Sequence, residues 1–388
     1  MHAPNFLDLA LTLAQKASHL SPPNPSVGCI LLSITGKIIG QGHTQQAGGP
    51  HAEVMALRDA AAHGKSVEGA TAYVTLEPCS HFGRTPPCCN ALIDAKVGKV
   101  VVAILDPNPL VSGQGVQLLR AAGIEVEVLP THHPDAMAAR ELNLGFFSRM
   151  VRQTPWVRMK IAASLDGKTA LDNGASQWIT SEPARADGHA WRARASAVLT
   201  GMGTVLADDP LLDVRYVDTP RQPHVVVVDS QLQISPHAKL FNLQITTNLI
   251  APQAINTPAR GIFIYTNAQN PAKQADLEAK GAVVVVLPDS DRTGKVDLAA
   301  MLRDLAAREI NELHVEAGPT LNGALIKAGL VDEFLVYLAP KMLGQGRAMA
   351  DFGPLNDLTS ALTLNFTSID KIGPDVRLLA RVTGHDIF

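Results

Sequence analysis

Three short segments, His51-Ala52-Glu53, Pro78-Cys79 and Pro87-Cys88, together carry one imidazole and two thiols, and no other feature constrains the chain as tightly. One histidine and two cysteines are three ligands of a tetrahedral zinc site whose fourth position is left to water, so the first hundred residues must bring them to one point. An open position marks a catalytic site, because zinc lowers the pKa of its bound water to about 7. Glu53, two residues after His51, is placed to carry that water's proton to a departing group without ligating the metal. His51 and Cys88 also fall where helices are predicted to begin, and a helix N-terminus favours an unprotonated imidazole and an ionised thiol. The four cysteines, Cys29, Cys79, Cys88 and Cys89, all lie in the first quarter of the chain, too few and too local for a disulfide framework. A closed structural zinc site would recruit Cys89 or His81 as a fourth ligand, but adjacent cysteines rarely present both thiolates to one ion. Cys29, inside an apolar run, reads as core.

Periodicity supplies the frame around these segments. Phe6, Leu9, Leu13 and Ala17 recur at helical spacing, and Ser21-Pro22-Pro23-Asn24-Pro25 ends that helix. A strand over 27–34, a helix over 51–63, a strand over 71–76, a short helix from Cys88 and a strand over 100–105 follow, in the order β-α-β-α-β. A helix over 134–150 leads to Arg152-Gln153-Thr154-Pro155, where polarity and proline break the pattern before a strand over 156–162. Apolar runs at 197–199, 225–228, 262–265, 283–287, 313–315 and 334–338 then alternate with helical stretches such as 297–308 and 321–328, so the second part is also α/β. At 388 residues the chain exceeds one hydrophobic core, and we expect two domains, 1–147 and 153–388.

Composition excludes several classes of function. An apolar share of 46% and a charged share of 18% are those of a folded protein rather than a disordered one. A net charge of -3 gives no basic field for a phosphate backbone, which argues against nucleic acid as a partner. The chain has neither a signal-peptide pattern at its N-terminus nor a run of about 18 apolar residues, so a cytoplasmic location with no membrane partner is expected, while a homo-oligomer stays open.

Nucleobase deaminases carry a histidine-x-glutamate followed by proline-cysteine-x-x-cysteine. This chain departs from that spacing, with eight residues between Cys79 and Cys88. That insertion, in Thr75-Leu76-Glu77-Pro78-Cys79-Ser80-His81-Phe82-Gly83-Arg84-Thr85-Pro86-Pro87-Cys88, together with Pro23-Asn24-Pro25-Ser26-Val27-Gly28 and His51-Ala52-Glu53-Val54, closely resembles the deaminase half of the bifunctional riboflavin-biosynthesis deaminase/reductases. The second half resembles the family's reductase through Lys160-Ile161-Ala162-Ala163-Ser164-Leu165-Asp166-Gly167, Ser176-Gln177-Trp178-Ile179-Thr180, Leu206-Ala207-Asp208-Asp209-Pro210 and Val315-Glu316-Ala317-Gly318-Pro319-Thr320-Leu321. The resemblance implies an N-terminal three-layer cytidine-deaminase-like domain and a C-terminal dihydrofolate-reductase-like domain.

The same resemblance implies the chemistry. In the first domain the family replaces a ring amine of a phosphoribosylaminopyrimidine by oxygen, with zinc held by His51, Cys79 and Cys88 and with Glu53 as the proton carrier. Ring recognition would fall to Asn24, whose amide both donates and accepts, and more weakly to His43, while His81, Arg84 and Thr85 in the insertion suit ribose and phosphate. In the second domain the family passes a hydride from NADPH to the anomeric carbon and opens the ribose to a ribityl chain. Gly318, Pro319 and Thr320 follow a strand and begin a helix, a junction that can hold a cofactor phosphate, and Leu321, Asn322, Gly323 and Ala324 continue it. By carry-over Ala162, Trp178, Thr204, Asp208 and Ser230 contact NADPH, and Ser176, Arg192, Leu212, Arg215 and Glu316 contact the small-molecule substrate. Lys160 and Asp208 are the candidates for proton handling, and for Asp208 both a proton-transfer role and a positioning role remain open. A nucleobase or tRNA-type zinc deaminase with an unrelated second domain would share His51 and Glu53 but would need the basic surface that this chain lacks.

Overall fold

In a computed structural model the described residues are 5–83, 85–109, 111–242, 260–291 and 293–388. The chain divides into two compact units, 1–153 together with Phe388, and 154–387. In the first unit the elements run α1 (Phe6–Ala17), β1 (Gly28–Leu32), β2 (Ile38–His43), α2 (Ala52–Ala62), β3 (Thr71–Val74), α3 (Cys88–Asp94), β4 (Lys99–Val102), α4 (Gln114–Ala121), β5 (Glu125–Val128), α5 (Pro134–Leu142) and α6 (Leu144–Arg152). The five strands form one sheet in the order β2-β1-β3-β4-β5, antiparallel on both sides of β1 and parallel from β3 to β5. Side chains of β1 alternate between its two faces. Ile30 and Leu32 cluster with Ala10 of α1, whereas Cys29 and Leu31 join Ala52, Ala56 and Ala60 of α2. Helices on both faces of one sheet give the three layers expected.

Three sequence expectations for this unit are corrected. β2 was missed because Gly40 and Gly42 weaken it as a strand, yet α2 packs so closely on it that a Cβ would lie 2.3 Å from the Ala56 carbonyl oxygen at Gly40 and 2.5 Å from that of Ala52 at Gly42. The single helix expected over 134–150 is two, broken at Asn143, whose side chain accepts from the Ser26 N–H (2.7 Å) and donates to the Ser26 carbonyl (3.0 Å). The unit also extends past residue 147, because α6 continues to Arg152 and buries Phe146 and Phe147 in the first core.

The second unit runs β6 (Trp156–Ser164), β7 (Lys168–Leu171), α7 (Glu182–Arg194), β8 (Ala197–Gly201), α8 (Met202–Asp208), β9 (His224–Val228), β10 (Ile262–Thr266), α9 (Pro271–Glu278), β11 (Ala282–Val286), α10 (Leu298–Ala307), β12 (Glu312–Val315), α11 (Pro319–Lys327), β13 (Glu333–Ala339), β14 (Gly346–Ala348), β15 (Leu364–Ile372) and β16 (Asp375–Val382). Nine strands form a sheet in the order β11-β10-β9-β8-β12-β6-β13-β16-β15, parallel as far as β13 and antiparallel after it. The two faces of its centre differ in chemistry. Val157, Met159, Ile161 and Ala163 of β6 lie with Leu313 and Val315 of β12 in an apolar core. The alternate residues, Arg158, Lys160, Glu312 and His314, face the other way, toward the side chains of α7. No helix among the described residues is long and apolar enough to cross a membrane.

Candidate active sites

His51 is the N-cap of α2, Cys88 the first residue of α3, and Cys79 lies in the loop after β3. His51 Nδ1 is 3.5 Å from Cys79 Sγ and 3.3 Å from Cys88 Sγ, and the three donor atoms all lie within 4.8 Å of one another. A tetrahedral zinc ion with ordinary Zn–N and Zn–S bonds places its N and S ligands about 3.6 Å apart, so this donor set fits zinc closely. The other imidazole nitrogen, Nε2, is 3.4 Å from Thr85 Oγ1, a contact that orients the ring and leaves Nδ1 for the metal. Thr85, expected at the substrate, thus lies beside the ligand His51. Cys89 is excluded as a ligand: its buried thiol donates to the carbonyls of Pro78 (3.3 Å) and Gly115 (3.6 Å).

The electrostatics suit proton transfer. Glu53 sits in the first turn of α2 with 3% of its surface exposed, and burial, reinforced by the negative charge of Cys79, pushes its carboxyl up to about 7. A carboxyl with a pKa near neutrality can both take and return a proton. Hydrogen bonding from Cys88, and then from His51, holds the Cys79 thiol well below its ordinary value, which favours the thiolate form that binds a metal. His43 caps its own neighbourhood through the Thr44 carbonyl (3.1 Å), and the Asn24 side chain makes no hydrogen bond to the described residues. His81 is exposed. Arg84 lies outside the described residues.

Glu316, at the end of β12, organises the second unit's cluster. Arg192 of α7 grips it with Nε (2.7 Å) and Nη2 (2.9 Å), Lys160 Nζ is 3.8 Å away, and His314 Nε2 is 3.5 Å away. Arg192, and after it Lys160, hold Glu316 below the usual carboxylate range despite its burial, whereas burial pushes the Lys160 ammonium down and His314 down to about 3, which leaves that imidazole neutral. Arg215 pairs with buried Asp213, and its backbone N–H donates to His189 Nδ1 (3.1 Å). Arg192, expected at the substrate, also donates from Nη1 to the Asp213 carbonyl, so each of its three donor groups has a partner within the protein.

Other expected contacts are dispersed. Asp208 ends α8 and is exposed, Thr204 is half-buried one turn earlier, and Trp178 is 60% exposed under the Arg185 guanidinium, 4.4 Å from the ring centre. Ala162, Ser176 and Ser230 are half-buried, and Leu212 is buried with its carbonyl held by Arg260 (2.5 Å). Gly318 caps α11 without a side-chain bond and Pro319 opens the helix, leaving N–H groups at its first turn. Asn322 and Gly323, on the same helix, are packed: the Asn322 amide donates to the Met349 carbonyl (2.9 Å), and a Cβ on Gly323 would lie 2.0 Å from the Asp351 carbonyl oxygen. Sequence reasoning gave no role to Glu77, His189 or His314. Glu77 stood inside a quoted motif, but nothing marked the two histidines.

Residues 155–378 match the RibD C-terminal domain family, and residues 2–104 match the cytidine and deoxycytidylate deaminase zinc-binding region. The riboflavin biosynthesis protein RibD of Escherichia coli is 42% identical over 96% of this chain and 97% of its own length, and that of Aquifex aeolicus is 40% identical over 96% of each. The solved structure of Acinetobacter baumannii RibD superposes with a TM-score of 0.83 at 38% identity over 97% of this chain and 98% of its own. A Thermotoga maritima diaminohydroxyphosphoribosylaminopyrimidine deaminase/5-amino-6-(5-phosphoribosylamino)uracil reductase superposes at 0.81 and 30% identity, covering 97% of each chain. With both domains and nearly the full length matched, the chain belongs to the RibD family, the bifunctional deaminase/reductases of riboflavin biosynthesis.

Proposed function

We propose that the first unit deaminates diaminohydroxyphosphoribosylaminopyrimidine at a zinc ion held by His51, Cys79 and Cys88, and that the second reduces 5-amino-6-(5-phosphoribosylamino)uracil with NADPH. The observation that carries this reading is the convergence of one imidazole and two thiols beside a buried carboxyl poised near neutrality. Zinc held by these three residues would make a water nucleophilic at neutral pH. Glu53 would take one proton from the attacking water as its oxygen bonds to the amine-bearing carbon and return it to the amine, while the water's second proton passes to the adjacent ring nitrogen, so that the C–N bond breaks, ammonia departs and a carbonyl remains. Asn24 and His43, with His81 and Arg84 in the insertion, bind the ring and its phosphoribosyl group. In the second unit NADPH supplies the hydride. Lys160, with its ammonium pushed down by burial, releases a proton as the ribose opens, and Glu316 with Arg192 keeps that lysine in place. Gly318 to Leu321 and Ala324 hold the cofactor at the N-terminus of α11, with Ala162, Trp178, Thr204 and Ser230 beside it, while Ser176, Leu212 and Arg215 meet the substrate. Four free thiols are those of a reducing compartment, and we place the enzyme in the cytoplasm.

Substitution of the cysteines tests the metal assignment. Cys88→Ser is expected to lose zinc by elemental analysis and to stop ammonia release, while NADPH oxidation with the deaminated substrate continues. Cys89→Ser keeps its zinc, and a zinc-free Cys89→Ser protein would overturn the ligand set.

Asp208 is assigned a positioning role at the cofactor, because it is an exposed residue on the last turn of a short helix. Asp208→Asn is therefore expected to raise the Michaelis constant for NADPH about tenfold with kcat within a few-fold of wild type. A fall in kcat of about a hundredfold at unchanged cofactor affinity would instead make it a proton donor.

A further inference from the structure

We propose that Glu77 is a positioning residue of the deaminase, fixing the Pro78-Cys79 ligand loop through backbone groups from a distant segment; the inference rests on the metal assignment above. Glu77 is 3% exposed, and its carboxylate accepts three backbone N–H groups: Asp106 (3.2 Å) and Gly113 (2.9 Å) on Oε2, and Val116 (3.1 Å) on Oε1. Gly113 is the N-cap of α4 and supplies no side chain, so Glu77 satisfies orphan donors at that helix start from across the fold.

The neighbouring packing points the same way. The Pro78 carbonyl receives the Cys89 thiol, and a Cβ on Gly115 would lie 2.2 Å from that carbonyl oxygen, so the first turn of α4 presses directly on the ligand loop. The Cys89 N–H donates to the Cys79 carbonyl (3.2 Å), and the Cys88 N–H reaches Cys79 Sγ (3.3 Å). Cys79 is thus held from behind by a lattice whose charged anchor to the 106–116 segment is Glu77, with the longer contact of the Cys89 thiol to the Gly115 carbonyl (3.6 Å) beside it. None of these bonds touches a reacting atom; their effect is to set where the sulfur sits.

Glutamine is the informative replacement, because it keeps the shape but turns one acceptor oxygen into a donor facing a backbone N–H. The full-length protein is loaded with cobalt(II) in place of zinc, and the thiolate-to-cobalt absorption, the affinity in chelator competition, ammonia release and NADPH oxidation are measured. For Glu77→Gln we expect a shifted thiolate band and metal affinity lowered about tenfold or more, with ammonia release falling and NADPH oxidation within twofold of wild type. Gly115→Ala pushes the same loop from the other side with Glu77 intact, is expected to show the same signature, and carries the test if the glutamine protein does not fold. A band and an affinity within twofold of wild type in both variants would overturn the inference. A wild-type protein that shows no thiolate band would instead overturn the metal assignment itself.

Discussion

Glu53→Gln, in the full-length zinc-loaded protein, is expected to lower ammonia release by about a thousandfold while zinc content and NADPH oxidation stay at wild-type levels. Glutamine fills the same space at the start of α2 but cannot accept a proton from water or hand one to the leaving amine. The size of the effect follows from the double duty of one group: both the attack and the departure pass their proton through this carboxyl, which burial pushes up to about 7. Zinc should remain, because the three donors that converge there do not include Glu53. Ammonia release within tenfold of wild type would mean that another base serves the site.

The largest effect on stability is expected from Arg158→Leu. Arg158 lies 2% exposed between two carboxylates, donating from Nη1 to Glu312 (2.7 Å) and from Nε to Glu333 (2.5 Å), under the ring of Trp191 at 4.5 Å. Arg194 and Arg381 brace the outer oxygens of the same two glutamates. Leucine removes the central cation and leaves two buried carboxylates short of a partner, a change that costs about 3 kcal/mol or more. All three tryptophans, Trp156, Trp178 and Trp191, lie in the second unit, so urea unfolding followed by tryptophan fluorescence reports that unit alone. A midpoint unchanged from wild type would show that the row of charges contributes nothing net.

What could be read from the sequence was whatever is local along it. The zinc ligands announced themselves because His51, Cys79 and Cys88 sit at helix starts and in a proline-rich loop, where residue type and neighbours suffice. The strands of the second sheet showed as apolar runs because parallel strands covered on both sides carry them. The features that escaped depend on partners far away in the chain. Gly40 and Gly42 make sense only against the backbone of α2, and the break at Asn143 only against Ser26. The row Glu333–Arg158–Glu312–Arg194 joins residues more than a hundred positions apart, so nothing local along the chain marks it. The packing of Met349 and Asp351 on Asn322 and Gly323 likewise joins segments that lie apart in the chain.

The position of β6 sets the order in which the chain can be completed on a ribosome. β6 opens the second unit, yet both of its sheet neighbours come late: Trp156 pairs with Glu312 on β12, and Arg158 with Glu333 on β13. Until those strands emerge, Val157, Met159 and Ile161 have no neighbouring strand to lie against, and Arg158 lacks both glutamates. The first unit closes its sheet by β5, within its first 128 residues, so it can adopt its fold during synthesis while the second waits with an apolar strand uncovered. A ribosome that stalls before residue 312 therefore presents a chain whose first sheet is fully paired while β6 has neither of its neighbours, although β8 to β11 can already pair among themselves, so the uncovered β6 makes the second unit the more aggregation-prone part of the nascent protein.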